Sequence, residues 1–245
     1  MKMGEVILVA SGKGGTGKTM FSVNMGAMLA RYGYRVMLID MDMGLRNMDL
    51  YLGMEDRVIY NLMDVLSGLC RINKAMSKVE GFETLYFMAA SPRKDDRDIT
   101  PLHMKVLCDK LRGIFDYIII DCPAGTGDML DVSMGPADKA VIVTEPEIAA
   151  VRDADITERY LQEHGIDDTR LVLNKVDVDL MNKGLLPDIN VVAEIFNGPL
   201  VGVIQNDANI RISTNKGIPI VIKKGTYIEK NFRGIVSRIL SNRPR

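Results

Sequence analysis

The 245-residue sequence is poor in the residue types on which several kinds of protein depend. Its three cysteines, Cys70, Cys108 and Cys122, form no CxxC pair, which argues against a disulfide framework and against a self-sufficient zinc or iron–sulfur site. Its two histidines lie near no GxSxG motif, which argues against a Ser-His-Asp hydrolase.

Charge of one sign and long apolar runs are also missing. Lysine and arginine number 31 against 32 aspartates and glutamates, so no general basic excess marks the chain as a nucleic-acid binder. No run approaches eighteen apolar residues, and the opening MKMGEVILVASGKGG turns glycine-rich after a short apolar segment. A spanning helix and a secretory signal are therefore not expected, and we predict a cytoplasmic protein.

Short, almost wholly apolar runs alternate with longer segments of helical period. This rhythm is typical of βαβ units, and unbroken apolar strands are typical of a parallel sheet covered on both faces. We predict a doubly wound, mostly parallel α/β sheet with helices on both faces, and one domain over residues 1–245. Predicted helices include 18–32, and one that has Pro146 in its first turn and runs to Glu163. The predicted strands are 6–10, 36–40, 85–89, 117–121, 139–144, 171–174 and 200–204.

A phosphate-binding loop follows the first predicted strand. The segment Gly12-Lys13-Gly14-Gly15-Thr16-Gly17-Lys18-Thr19 fits G-x-x-x-x-G-K-[ST] and leads directly into a helical pattern. Glycines in such a loop let backbone N–H groups surround the phosphates, Lys18 adds a positive charge, and the Thr19 hydroxyl can bind Mg²⁺.

Two further strands end in aspartate, one at Asp40 and the other at Asp121. Because ligands of open α/β sheets bind at the carboxyl ends of the strands, we expect Asp40, Asp42 and Asp121 to converge on the phosphates and the metal. Phosphoryl transfer requires positioning and charge neutralisation. We assign Asp121 to the surroundings of Mg²⁺, Asp40 to support of the metal, and Asp42 to orientation of the attacking water.

The residues predicted to contact the base are compatible with two nucleotides. Asn174-Lys175-Val176-Asp177 follows a predicted strand and fits N-K-x-D, a pattern of guanine-reading GTPases in which the Asp accepts from the guanine ring. An unpaired carboxylate beside adenine would be costly. The loop with Lys13 resembles that of a family of P-loop ATPases, and this resemblance implies that Asn174 reads adenine from the same strand end. We expect ATP, with Asn174 and Asp177 as base contacts and GTP as the alternative.

The first lysine of the loop carries a family resemblance. K-G-G-x-G-K-T resembles the deviant Walker A motif of the MinD/ParA family of P-loop ATPases, which implies that Lys13 reaches across a dimer to the phosphates of the partner. Met20, next to the nucleotide, stands where this family usually has a second Thr. A missing hydrogen bond there would lower affinity by about 1 kcal/mol.

The similarity extends along most of the chain and is closest to the MinD branch, since Arg46 distinguishes it from the flagellar branch. It implies a weak, Mg²⁺-dependent ATPase that dimerises on ATP, takes part in division-site placement, binds MinC-like and MinE-like regulators, and uses residues 147–155 as dimer and partner surface. The open alternatives are a flagellar-number or ParA-type ATPase, and a scaffold that binds nucleotide without hydrolysis. The similar segments are 40–49, 57–60, 89–91, 121–125, 145–155 and 200–204.

The C-terminal segment departs from the resemblance. MinD-type chains usually append a basic amphipathic helix, whereas this sequence stops at Asn242-Arg-Pro-Arg245, and we expect no separate membrane-targeting segment. The predicted helix from Tyr227 to Leu240 reads as the last core helix. Since Lys223 to Arg245 holds seven basic residues and one acid, attraction to an anionic membrane surface remains an alternative role.

Overall fold

A single sheet organises the part of the chain that the computed structural model describes, residues 3–93 and 99–241. Within these residues the sheet has eight strands in the order β3-β4-β2-β5-β1-β6-β7-β8. The strands are β1 (Glu5–Ala10), β2 (Val36–Asp40), β3 (Ser77–Lys78), β4 (Leu85–Met88), β5 (Tyr117–Asp121), β6 (Lys139–Thr144), β7 (Thr169–Val176) and β8 (Leu200–Gln205).

All neighbouring strands are parallel except the short edge strand β3, which runs antiparallel to β4. β1 lies in the middle, paired with β5 on one side and β6 on the other. In the register of β2 and β5, Asp40 stands opposite Asp121. The two strand-terminal carboxylates therefore share one edge of the sheet.

Helices cover both faces of the sheet and flank its edges. They are α1 (Lys18–Arg31), α2 (Met48–Leu52), α3 (Leu62–Leu66), α4 (Ile72–Ala75), α5 (Pro101–Leu111), α6 (Asp128–Met134), α7 (Ile148–Glu163), α8 (Val178–Asn182), α9 (Ile189–Ile195), α10 (Ala208–Asn215) and α11 (Tyr227–Leu240). Short 3₁₀ turns span Glu55–Arg57 and Ile220–Ile222.

The sheet has a buried core on each face, which explains why its strands are apolar throughout. Alternate residues of a strand point to opposite faces. Val6, Leu8 and Ala10 of β1 pack in one core with α5, α6, α7 and α9, while Ile7 and Val9 pack in the other with α1 and α11. The predicted doubly wound fold is confirmed.

The last helix is a core helix, as expected. Its apolar stripe is buried against α1, where the rings of Phe21 and Phe232 stack with their centroids 6.0 Å apart. Thr226 caps the helix by accepting from the N–H of Glu229. The expectation for Asn242–Arg245 falls outside the described residues.

Several local features differ from the sequence prediction. α7 begins at Ile148 with Glu147 as its N-cap, so Pro146 precedes the helix instead of occupying its first turn. β3 and the short helices between β2 and β4 were not predicted. Of these helices, α3 has a local cause, because the Asn61 side chain accepts from two backbone N–H groups at its start.

Candidate functional site

The loop between β1 and α1 has a conformation that requires glycine at three positions. Gly15 and Gly17 have φ of 80° and 93°, in the left-handed region that favours glycine. A Cβ on Gly12 would lie 2.5 Å from the carbonyl oxygen of Asp153, and one on Gly17 would lie 2.3 Å from Asn174 Nδ2. The loop therefore bends tightly over α1 and packs directly against α7 and β7.

Lys18 points into the base of this loop. Its Nζ donates to Ser11 Oγ at 2.8 Å, and that hydroxyl donates to the carbonyl of Lys13 at 2.7 Å. Burial lowers the pKa of Lys18, while the nearby charges of Asp121 and Asp42 oppose the shift. A half-buried, partly desolvated ammonium of this kind is suited to bind a multiply charged anion.

Asp121 lies beneath the loop at the end of β5. Its two carboxylate oxygens accept from Thr19 Oγ1 at 2.6 Å and from Ser22 Oγ at 2.9 Å. Burial raises the pKa of Asp121 to about 6, although both hydroxyls and Lys18 favour the ionised form. The carboxylate thus orients the Thr19 hydroxyl, the group predicted to bind Mg²⁺.

Asp40 and Asp42 lie beside Asp121 at the end of β2. Asp40 is 1 % exposed and accepts from the backbone N–H groups of Asp42 at 2.9 Å and Met48 at 3.3 Å. Burial, followed by the charge of Asp121, raises the pKa of Asp40 to about 8. Asp42 is half-buried, and its charge acts on Asp40, Asp121 and Lys18. The structure therefore brings all three predicted carboxylates together.

These residues fit a polyphosphate and its magnesium ion. The buried hydroxyl of Thr16 has no hydrogen-bond partner among the described residues, so the loop holds a donor for an oxygen ligand. The charge of Asp121 raises the pKa of Asp40, and the charge of Asp42 raises the pKa of both, so a divalent cation at this edge would favour their ionised forms. Within residues 3–93 and 99–241, no three His, Cys, Asp or Glu side chains are arranged to hold a metal alone. Mg²⁺ takes few protein ligands and completes its shell with phosphate and water, which fits the Thr19 hydroxyl held by Asp121.

Lys13 differs from Lys18 in direction and environment. Its side chain is 51 % exposed, and Nζ lies 3.4 Å from Glu147 Oε2 at the start of α7. Lys13, the first lysine of the motif, is thus turned away from the loop interior, toward solvent and α7.

The end of β7 contacts the loop through two consecutive side chains. Asn174 is buried, and its Nδ2 donates to the carbonyl of Thr16 at 2.7 Å. Lys175 Nζ donates to the carbonyl of Gly15 at 2.6 Å and lies 2.8 Å from Glu145 Oε1. Asp177 instead caps α8 by accepting from the N–H of Leu180 at 3.0 Å, because the chain turns into that helix there.

A cavity of about 400 Å³ opens beside the loop, between the ends of β7 and β8. Met20 and Asn174, two of the predicted nucleotide contacts, line this cavity, and Asp177, a third, does not. Larger hollows of about 660 and 630 Å³ lie away from the loop. The remaining lining residues are Gly15, Gly17, Tyr51, Lys175, Gln205, Asn206, Asp207, Ile210, Arg211 and Thr214.

Several residues of the site were not predicted. Gln205, Asn206 and Asp207 form one wall of the cavity, and the Tyr227 hydroxyl donates to Asp207. The sequence pattern could have identified them, since these polar residues stand at the end of an apolar strand, as Asp40 and Asp121 do. Ser11 and Ser22 belong to no sequence motif. In the structure they hydrogen-bond Lys18 and Asp121, respectively, and orient them.

Comparison with known proteins agrees with this geometry. Residues 7–220 match the model of the CobQ/CobB/MinD/ParA nucleotide binding domain. The chain is 41% identical to the septum site-determining protein MinD of Bacillus subtilis strain 168 over 240 residues, which cover 97% of this chain and 90% of that protein.

Solved structures give the same result. The MinC:MinD cell division protein complex of Aquifex aeolicus superposes with a TM-score of 0.90 at 31% identity, covering 98% of both chains. The septum site-determining protein MinD of Pyrococcus horikoshii OT3, complexed with Mg-ADP, has a TM-score of 0.88 at 29% identity and covers 98% of this chain and 97% of its own.

The phosphate loop, the paired strand-end carboxylates and the doubly wound sheet define a P-loop nucleotide-binding protein, and the chain belongs to the CobQ/CobB/MinD/ParA family. Within that family it is a MinD-like ATPase of division-site placement, which confirms the resemblance seen in the sequence. None of the helices among the described residues has the length and apolar character needed to cross a membrane.

Proposed function

We propose that the chain, as one domain over residues 1–245, is a switch in which ATP holds two copies together. The observation that carries this proposal is the outward direction of Lys13, which is half-exposed on the loop while Lys18 occupies the loop interior. A lysine in this position can reach the phosphates of a second copy. Its partner within the chain, Glu147, forms only an exposed ion pair, which is weak and easily exchanged.

Within each copy, the loop residues bind and orient the triphosphate. The N–H groups of residues 14–19 surround the phosphates, and Lys18 neutralises their charge. Bound Mg²⁺ would neutralise charge on the phosphate oxygens. Thr19 would hold it directly, with Asp121 behind the Thr19 hydroxyl and Asp40 further back in the same acidic group. Asp42, the least buried of the three acids, orients the attacking water.

ATP is the proposed substrate. The position of Asp177 supports ATP over GTP, because its carboxylate caps α8 and does not line the cavity. The cavity instead offers Asn174, Gln205 and Asn206, whose amides can both donate and accept hydrogen bonds. Such groups suit the ring edge of adenine.

We propose a MinC-like regulator as a partner, on the ground that the similar Aquifex protein is found in a MinC:MinD complex. The start and outer face of α7 offer a surface for it, where Ile148 is 39 % and Ile156 is 54 % exposed. A MinE-like protein that promotes hydrolysis would use the same helix. Its contacts with the loop, through Glu147 and Asp153, connect that surface to the phosphates.

Peripheral attachment to the inner face of the cell membrane belongs to the same proposal. The apolar stripe of α11 is buried in the core and cannot insert into a membrane. The helix would instead meet the membrane through exposed basic residues, mainly Lys230 and Arg233. Anionic headgroups attract such residues weakly. If the protein sediments with phosphatidylglycerol vesicles in the presence of ATP, direct attachment is supported. Protein that stays in the supernatant argues for a tether supplied by a partner.

The nucleotide site is tested by phosphate release from ATP with and without Mg²⁺. We expect slow, Mg²⁺-dependent turnover by the wild type. Lys18→Ala should lose ATP binding by at least about 100-fold, because a half-buried charge contact to several phosphate oxygens is removed. Lys105→Ala, an exposed residue of α5, is the matched control. Equal ATP binding by Lys18→Ala would show that the loop is not the nucleotide site.

A further inference from the structure

Two neighbouring residues at the end of β7 hold two neighbouring carbonyls of the phosphate loop. Asn174 Nδ2 donates to the carbonyl of Thr16 at 2.7 Å, and Lys175 Nζ donates to the carbonyl of Gly15 at 2.6 Å. In a regular strand, successive side chains point to opposite faces and do not reach the same loop. The arrangement therefore needs a local change of backbone.

That change occurs at Lys175, which has a φ of 55°. A left-handed conformation is unfavourable for a residue with a side chain, and here the pairing of β7 with β8 is also irregular between Leu173 and Val176. The backbone turn directs the lysine toward the loop. The contacts of Lys175 then compensate for an unfavourable backbone conformation.

Holding these carbonyls also orients the donors of the loop. In a planar trans peptide, the C=O of one residue and the N–H of the next point in opposite directions. With the carbonyls of Gly15 and Thr16 directed at β7, the N–H groups of Thr16 and Gly17 point away from β7. In a phosphate loop, N–H groups of this kind are the donors to the phosphates.

Glu145 holds the lysine in place from the other side. Its Oε1 lies 2.8 Å from Lys175 Nζ, and the lysine is 47 % exposed while the glutamate is 21 % exposed. A partly exposed ion pair contributes little to the stability of the fold by itself. It does restrict a long, flexible side chain to the direction in which it meets the loop.

We infer that Lys175, directed by Glu145, is a positioning residue that orders the phosphate loop for binding, and that it does not read the base. This inference rests on the proposed nucleotide site at the loop. The lysine of the N-K-x-D pattern would then favour phosphate binding, and all nucleotides carry phosphates. Loss of the lysine should weaken all phosphate ligands by the same factor, whatever base they carry.

The test compares three ligands: Mg-ADP, Mg-GDP and Mg-tripolyphosphate, which has no base. Titration calorimetry, or displacement of a fluorescent ADP, gives a Kd for each with the wild type and Lys175→Met. We expect about five- to tenfold weaker binding of all three, as for loss of a partly exposed charged hydrogen bond. Lys175→Arg should bind within about threefold of the wild type, since it keeps a charged donor. Lys105→Met, which alters an exposed lysine on α5, should bind as the wild type does.

Other results would overturn the inference. If Lys175→Met weakens ADP but leaves tripolyphosphate unchanged, the lysine contacts the base. Unchanged Kd values, with or without a lower melting temperature, would mean that the loop is ordered without it. Failure of wild-type protein to bind any of the three ligands would instead count against the proposed nucleotide site, so the two failures are distinguishable.

Discussion

Lys13 Nζ lies 3.4 Å from Glu147 Oε2, although 134 positions separate the two residues in the sequence. Both side chains are more than half exposed, at 51 and 53 %. An ion pair this accessible to water contributes at most about 1 kcal/mol and is further screened by salt. Lys13 is thus held near the start of α7 by a contact that a phosphate of a second copy would readily replace.

Replacement of this lysine should separate binding from pairing. Lys13→Ala should bind ADP with a Kd within about threefold of the wild type, because an exposed lysine adds little to binding in one copy. It should not pair with ATP, since the proposed charge on the partner's phosphates is lost. Displacement of a fluorescent ADP checks the Kd, light scattering with ADP and with ATP checks the pairing, and Lys105→Ala is the control in both. Normal pairing of Lys13→Ala would contradict the assigned role.

Asp42 should affect turnover without affecting pairing. Asp42→Ala should still dimerise with ATP, but its rate of phosphate release should fall by at least about 100-fold, as for loss of a group that orients a reacting water. Glu194→Ala, an exposed acid on α9, should hydrolyse ATP normally. A turnover rate near the wild-type value would remove Asp42 from the mechanism.

The clustered carboxylates predict a pH dependence of folding in the absence of nucleotide and Mg²⁺. Burial raises the pKa of Asp40 to about 8 and that of Asp121 to about 6, both above the usual range near 4. A raised folded-state pKa stabilises the protein below the unfolded pKa, and this contribution is lost as pH rises through the folded pKa. The free energy of unfolding should therefore decrease as pH rises from about 4 to 8.

Urea unfolding at several pH values in EDTA checks this dependence. Asp40→Asn should flatten the decrease above pH 6 because it removes the group with the higher pKa. Addition of Mg-ADP should also reduce the slope, since a cation near the acids favours their ionised forms. A free energy of unfolding that rises across this range would contradict the assigned burial of the pair.

Base selection should depend on the cavity and not on Asp177. We expect ATP to bind at least about tenfold more tightly than GTP, a difference of 1.4 kcal/mol. Asp177→Ala should leave that ratio unchanged while lowering the free energy of unfolding by about 1 kcal/mol through loss of a helix cap. A tenfold preference for GTP, or a ratio altered by Asp177→Ala, would restore the guanine-reading interpretation.

Residues with a local signal were predictable from the sequence. Unbroken apolar strands ending in Asp40 and Asp121 placed both acids at the same sheet edge, because parallel strands with helical connections leave their carboxyl ends together. The phosphate loop was equally visible, since its glycines are required by positive φ and by the close approach of α7.

Contacts made by distant segments were not predictable. N-K-x-D has the same letters whether Asp177 meets a base or caps a helix, and the choice depends on where α8 begins. The pairing of Lys13 with Glu147 depends on the packing of α7 beside the loop, which no pattern within either segment reveals. The sequence places Gln205, Asn206 and Asp207 at the end of a strand. That they line the cavity follows only from the position of β8 beside β7.

The central claim is that ATP joins two copies of this chain, and the most direct measurement is the solution mass of the wild type with each nucleotide. Size-exclusion chromatography with multi-angle light scattering should give one copy of 27.2 kDa with Mg-ADP, and twice that mass with ATP under conditions that prevent hydrolysis. A single copy under saturating ATP, with binding confirmed in the same sample, would contradict the account.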